Sequence, residues 1–232
     1  MGRTSFALNV AEHCAIEIGE PVAFLSTEST GQQLALKLLA SVGRLDSHRM
    51  GLGKFTEDEW SRLSFAIGKA HEAPLYFDKR ACRSVHSVID NARALADERG
   101  KVGLVVVDRL QGLAHAGDPG VRALELSNIA ASLKALGMEL QCPVVVTSSL
   151  NRNLELRPDK HPLLCDLRDS GAIEDEADVV LMLYRDQLYN QDSLDRGVAD
   201  VEVAKLRRGP LGRERLYFLE EYGRFEALPL PY

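Results

Sequence analysis

The sequence predicts an α/β fold: a doubly wound, mostly parallel sheet with antiparallel strands at its C-terminal edge. Three observations carry this. Short unbroken apolar runs, "PVAFLST", "LVVVD" and "PVVVTS", have the length and composition of strands buried on both faces. Longer segments with apolar residues at helical spacing alternate with them, which is the pattern of βαβ units. From Val198 the period changes to two: Val201 and Val203 stand between charged residues, and a Gly-Pro turn precedes "RLYFLEE".

In chain order, Phe6, Val10, Ala11, Cys14 and Ile18 recur at helical spacing, and Gly19 ends that helix. The strand "PVAFLSTE" follows, then the helix "TGQQLALKLLASVG" with Leu34, Leu38 and Leu39 on one face. Thr56 and Glu59 have capping-box spacing and open the next helix, in which Trp60 and the leucine that follows are expected to be core. "PLYFD" is a strand, and "SVHSVIDNARALADERG" is a helix stopped by Gly100. "VGLVVVD", the helix "GVRALELSNIAASLKALGMELQ", "CPVVVTSS" and the strand "DVVLMLYRD" complete the alternation. Residues 150–167 form the longest irregular stretch, long enough to suggest a functional loop.

The bulk composition excludes several classes. The chain has 232 residues, 45% hydrophobic and 27% charged, which suits one soluble domain. Its net charge of -6 rules out a global polycation, so any nucleic-acid contact must be local. Cys14, Cys82, Cys142 and Cys165 form no C-x-x-C pair and read as buried thiols in a reducing compartment. The six histidines show no metal-ligand spacing. No run approaches the ~18 apolar residues of a membrane span, and a cytoplasmic location without membrane contact is expected.

In doubly wound sheets ligands sit beyond the carboxyl ends of the strands. Glu28 follows the first apolar strand, Asp108 ends "LVVVD", and Ser149 with Asn151 and Arg152 follows "PVVVTS". A carboxylate at a strand end can hold Mg²⁺ near nucleotide phosphates, and a second acid on a neighbouring strand can polarise water. Gly2, Arg3 and Thr4 stand before a helix, as the end of a phosphate-binding G-K-[ST] loop does. Each feature also fits a helix cap or a solvated loop, so the residues alone leave both readings open.

The order of the segments is more specific. "TSFALNVAEHCAI", "LVVVDRLQGL", "PVVVTSSLNR", "DLRDSGAIEDEADVVLMLYRD" and "AKLRRGPLG" together resemble the C-terminal RecA-like motor domain of DnaB-type replicative DNA helicases, from Gly2 to about Leu228. The resemblance implies one RecA-like P-loop NTPase domain over residues 1–232, without the first strand, the start of the P-loop and the N-terminal collar domain. It implies ATP and Mg²⁺ as cofactors, and 5′-to-3′ translocation on single-stranded DNA by a hexameric ring of copies. Helicase loaders and primase are the further partners it suggests.

Carried over residue by residue, it gives Thr4 and Asp108 to Mg²⁺, and the backbone of Gly2, Arg3, Thr4 and Ser5 to phosphate. Glu28 matches the catalytic glutamate, and Lys205 and Arg207 match groups that reach into a neighbour's ATP site. Arg168, Asp169 and Gly171 match a channel loop that holds DNA phosphates. Three positions depart from the family. Arg3 replaces its lysine, Ser149 replaces a glutamine that senses γ-phosphate, and Arg109 replaces a tyrosine. An arginine fork is wider than a lysine, and a serine is shorter than a glutamine, so weak ATP binding and slow hydrolysis are expected. The alternatives are a RecA-fold interaction protein that binds helicase partners or DNA without hydrolysis, and a recombination- or clock-type ATPase, which lacks the "DLRDSGAIEDEAD" block.

Overall fold

The structure, a computed structural model, describes residues 1–78, 82–115, 117–167 and 171–228. The first helix, α1 (Arg3–Glu12), continues as a π-helical segment to Ile18, and Gly19 ends it with φ 78°. Then come β1 (Val22–Ser26), α2 (Gly31–Gly43), α3 (Ser47–Leu52), α4 (Glu57–Glu72), β2 (Leu75–Phe77), α5 (Val85–Arg99) and β3 (Leu104–Asp108). The chain continues through α6 (Pro119–Leu140), β4 (Val144–Val146), α7 (Gly171–Glu176), β5 (Val179–Tyr184), β6 (Val198–Leu206), β7 (Gly212–Leu219) and β8 (Arg224–Ala227). Among the described residues no helix is long and apolar enough to cross a membrane.

The expected fold class is the observed one. β2, β1, β3 and β4 form a parallel sheet in that order, with Ser26 opposite Asp108 and Val107 opposite Val146. The two central strands, β1 and β3, are buried at every residue. Alternation of their side chains divides the core. Val22, Phe24, Leu104 and Val106 pack with Ala7, Leu8, Ala11, Leu34 and Leu38, so α1 and α2 cover that face. Ala23, Leu25, Val105 and Val107 pack with Val88, Leu95, Leu126 and Leu133, so α5 and α6 cover the other. The sheet is therefore doubly wound.

The antiparallel part is larger than an edge. β5, β6, β7 and β8 form a four-stranded sheet of their own. β5 reads in sequence as one more buried run. Instead it alternates, with Val180 and Met182 inside while Val179 and Leu181 are exposed, and it pairs with β6. β8 returns to α1, where the Phe225 N–H donates to Asn9 Oδ1 at 2.8 Å.

Two expectations from residue type are corrected. Leu63 is buried, but Trp60 is 55% exposed and packs on Phe55 with ring centroids 4.9 Å apart. Of the four thiols, Cys82 and Cys142 are buried, Cys14 is half-buried and Cys165 is exposed.

Local signals set the helix ends. Thr56 Oγ1 accepts the Glu59 N–H at 3.3 Å, and the Glu59 carboxylate accepts the Thr56 N–H at 2.8 Å. This is the expected capping box, and Arg49 forks onto the same carboxylate at 2.6 and 2.9 Å. Thr56→Ala is expected to lower unfolding free energy by about 1 kcal/mol, read as a lower urea midpoint with an unchanged slope. The stretch at residues 150–167 is closed at its base. Leu150 bridges Leu167, the Asn151 N–H donates to the Asp166 carbonyl at 2.6 Å, and Arg157 forks onto the buried Asp166 at 2.7 and 3.1 Å.

Candidate active site

The sheet register brings three chain segments together at one end. Asp108 is the last residue of β3, Glu28 lies two residues past β1, and Ser149 lies three past β4. These strands are parallel neighbours, so all three residues stand beyond the same edge, as the sequence predicts.

The first turn of α1 faces this edge. Gly2 caps the helix with φ 99°, and a side chain there would press on the Phe225 and Phe218 rings at 3.2 and 3.4 Å. Gly2 thus meets both a backbone and a space requirement that other residues satisfy poorly. Thr4 Oγ1 donates to Asp108 Oδ2 at 2.9 Å. Thr147 Oγ1 donates to the other oxygen, Oδ1, at 2.5 Å, so both oxygens of the buried Asp108 are oriented. A threonine hydroxyl and an oriented carboxylate are hard oxygen donors that suit Mg²⁺, which takes most of its remaining shell from water and phosphate. Among the described residues no group of three or more His, Cys, Asp or Glu side chains forms a metal cage, and a phosphate-bound Mg²⁺ needs none.

Arg3, in the first turn, donates through Nη1 to the Ser148 carbonyl. Burial pushes its pKa below the ordinary arginine value, and the positive Arg109 adds to this, while Asp108 and Glu28 oppose it. Arg3, Arg109, Asp108 and Glu28 therefore form one electrostatic cluster of two cations and two anions.

Several members of the site carry no mark in the sequence. Arg109 stands there only as a departure from the family tyrosine. In the structure its Nη2 pairs with Glu28 Oε1 at 2.6 Å and its Nη1 donates to Ser149 Oγ at 3.3 Å. Gln111, buried in a short 3₁₀ turn, accepts the Ser149 N–H at 3.0 Å and donates to Ser148 Oγ at 2.7 Å. Thr147 is legible only as the end of an apolar strand, and Thr27 only as the residue before Glu28.

The remaining predicted residues lie elsewhere. Lys205 donates to the carbonyls of Glu174 and Asp175 near the end of α7. Arg207 pairs with Asp178 Oδ1 at 3.2 Å, and its N–H donates to the Asp178 carbonyl at 2.9 Å. Neither joins the Thr4–Asp108–Glu28 group among the described residues. Gly171 opens α7, and Arg168 and Asp169 lie outside the described residues. Ser5 belongs to the first turn of α1.

Comparison with known proteins agrees with this fold. The chain is 39% identical over 229 residues to the replicative DNA helicase DnaB of Geobacillus stearothermophilus, covering 98% of this chain and 50% of that protein. It is 35% identical over 229 residues to the replicative DNA helicase DnaC of Bacillus subtilis (strain 168), with 98% and 50% covered. The chain thus spans about half the length of the curated relatives it matches. Two solved structures superpose with a TM-score of 0.90 at 33% identity over 99% of this chain. One is a DnaB-like replicative helicase described with its interactions with primase, of which 55% is covered; the other is an ATPase domain, of which 81% is covered. The fold is the one these relatives share, and residues 1–227 match the family model of the DnaB-like helicase C-terminal domain: the chain belongs to that family.

Proposed function

We propose that this chain is an ATP-dependent motor domain of a replicative DNA helicase, translocating 5′ to 3′ on single-stranded DNA as part of a ring, with turnover reduced by its own substitutions. The observation that carries the reading is the contact between Thr4 Oγ1 and Asp108 Oδ2 at 2.9 Å, at the strand ends of a DnaB-like domain. In this reading Thr4 and Asp108 hold Mg²⁺, which neutralises phosphate charge when bound. The first-turn amides of Gly2 to Ser5 and the Arg3 guanidinium receive the phosphates. Glu28 orients the attacking water. Lys205 and Arg207 serve the site of a neighbouring copy, and Arg168, Asp169 and Gly171 track the DNA backbone. Primase or a loader would dock on the assembled ring, in the cytoplasm.

A second reading, a non-hydrolysing interaction protein, is favoured by one observation. Glu28 is tied to Arg109 and Ser149 is engaged by the same guanidinium, so the groups meant for water and γ-phosphate are both occupied by Arg109.

Binding of a fluorescent ATP analogue with and without Mg²⁺, beside steady-state hydrolysis, separates the two. The motor reading expects Mg²⁺-dependent binding that Thr4→Ala weakens, with turnover well below the ~10 s⁻¹ of a median enzyme. Losing one charge-positioning group typically costs ~100- to 1000-fold in rate, and Arg3 and Ser149 are two departures of that kind. Absence of nucleotide binding would favour the interaction protein. Several turnovers per second, abolished by Glu28→Gln, would establish the motor and show that its substitutions do not reduce turnover.

A further inference from the structure

We propose that Arg109 reads the terminal phosphate of a nucleoside triphosphate, and that in doing so it exchanges an ion pair with Glu28 for one with phosphate. The proposal rests on the reading of this edge as a nucleotide site and names a specificity-determining residue within it.

The backbone of Arg109 is held fast. Its N–H donates to Thr27 Oγ1 at 3.2 Å, and its carbonyl accepts from the same hydroxyl at 3.2 Å. Gly112 closes over that threonine so tightly that a side chain there would lie 2.0 Å from Thr27 Oγ1. The guanidinium therefore starts from a fixed point, one residue beyond Asp108, and moves only by its side-chain torsions.

Its fork spans the two positions that matter for a terminal phosphate. One nitrogen is on Glu28 at 2.6 Å and another is on Ser149 at 3.3 Å. Ser149 carries a short hydroxyl, and the guanidinium brings donor N–H groups to the place where that hydroxyl falls short. The third nitrogen, Nε, is buried and has no acceptor among the described residues. An arginine fork matches phosphate oxygens in pairs.

The existing ion pair is exchangeable. The side chains of Arg109 and Glu28 are 34% and 45% exposed, which places the pair in the weak, solvent-screened class. A terminal phosphate carries more charge than one carboxylate and competes favourably for the fork. Release of Glu28 then follows phosphate capture, so a triphosphate frees the carboxylate toward water, whereas a diphosphate leaves it paired. Discrimination between the two nucleotides would rest on one residue.

Mg²⁺-dependent binding of fluorescent ATP and ADP analogues to the full chain tests this, with melting temperature recorded beside each titration. Arg109→Ala is expected to weaken ATP binding about ten- to hundredfold and to leave ADP binding unchanged. Arg109→Lys should recover part of the ATP affinity, because it keeps the charge. Glu28→Gln should raise ATP affinity about two- to fivefold by removing the competitor. Equal losses for ATP and ADP, or no loss for either in Arg109→Ala, would overturn the proposal while leaving the nucleotide site intact. If Arg109→Ala does not fold, the Glu28→Gln result decides: unchanged ATP affinity overturns the exchange. Failure of the unaltered chain to bind either nucleotide would overturn the nucleotide reading and this proposal with it.

Discussion

Phe24→Ala is expected to cost about 3–5 kcal/mol of unfolding free energy. Phe24 is completely buried in the middle of β1, in the core layer under α1 and α2, and its ring meets Phe77 edge-on at 5.9 Å. Truncation removes the transfer free energy of the ring and leaves a cavity bounded by two helices and a neighbouring strand, none of which can close it freely. Loss of the edge-to-face contact adds to that. Urea unfolding followed by circular dichroism gives the value, and a conserved slope shows that the same surface unfolds. Phe65→Ala supplies the control. Phe65 is 60% exposed on α4, and its truncation should stay within ~0.5 kcal/mol. A cost for Phe24 no larger than that for Phe65 would mean that the two-faced core has been assigned wrongly.

Arg224→Ala is expected to cost about 3 kcal/mol, at the low end for a broken buried pair because the Arg224 side chain keeps 30% exposure. Glu12 is 8% exposed. Its carboxylate accepts from Arg224 Nη1 at 2.6 Å and from Ser41 Oγ at 2.6 Å. Removing the arginine strands a buried negative charge between α1, α2 and β8. A double-mutant cycle with Glu12→Gln measures the coupling separately from that stranding. The double variant should recover most of the loss, since no charge is then left without its partner. Additive costs in the cycle would show that the pair contributes no more than two independent contacts.

The features legible in the sequence are those that depend on local composition. "PVAFLST" and "LVVVD" are unbroken apolar runs because β1 and β3 are buried on both faces, and burial on both faces leaves no polar alternation to hide the strand. The cap at Thr56 is legible because its partner lies three residues away. Trp60 escapes because residue type and helical face disagree: Leu63 and Ala66 take the buried side of α4, and the larger Trp60 is left at the margin. The six-residue α3, capped by Asp46, is too short to show a period.

The candidate site divides in the same way. Glu28 and Asp108 can be found by reading the residues at and just beyond each strand end. The grip of Arg109 on Glu28 cannot, because it depends on β1 and β3 lying side by side although 81 residues separate the two side chains. Gln111 is hidden for a related reason: it serves Ser149 across a separation of 38 residues. Contacts of this kind are created by register, and register appears only when the sheet is assembled.

The tie between α1 and β8 has a consequence for the order of folding. The Asn9–Phe225 and Glu12–Arg224 bonds join residues separated by 216 and 212 positions. Each doubling of a closed loop adds about 0.6 kcal/mol to the entropic cost of closing it, so contacts of such span are favoured only after intervening structure has shortened the path. The parallel sheet and its helices can condense first, through pairings of much smaller separation. The Gly2 cap, whose lack of a side chain leaves room for the Phe225 and Phe218 rings, reaches its final surroundings when β7 and β8 arrive. On the ribosome, α1 is made well before the strands that complete it, and its first turn acquires its final setting only after β7 and β8 have emerged.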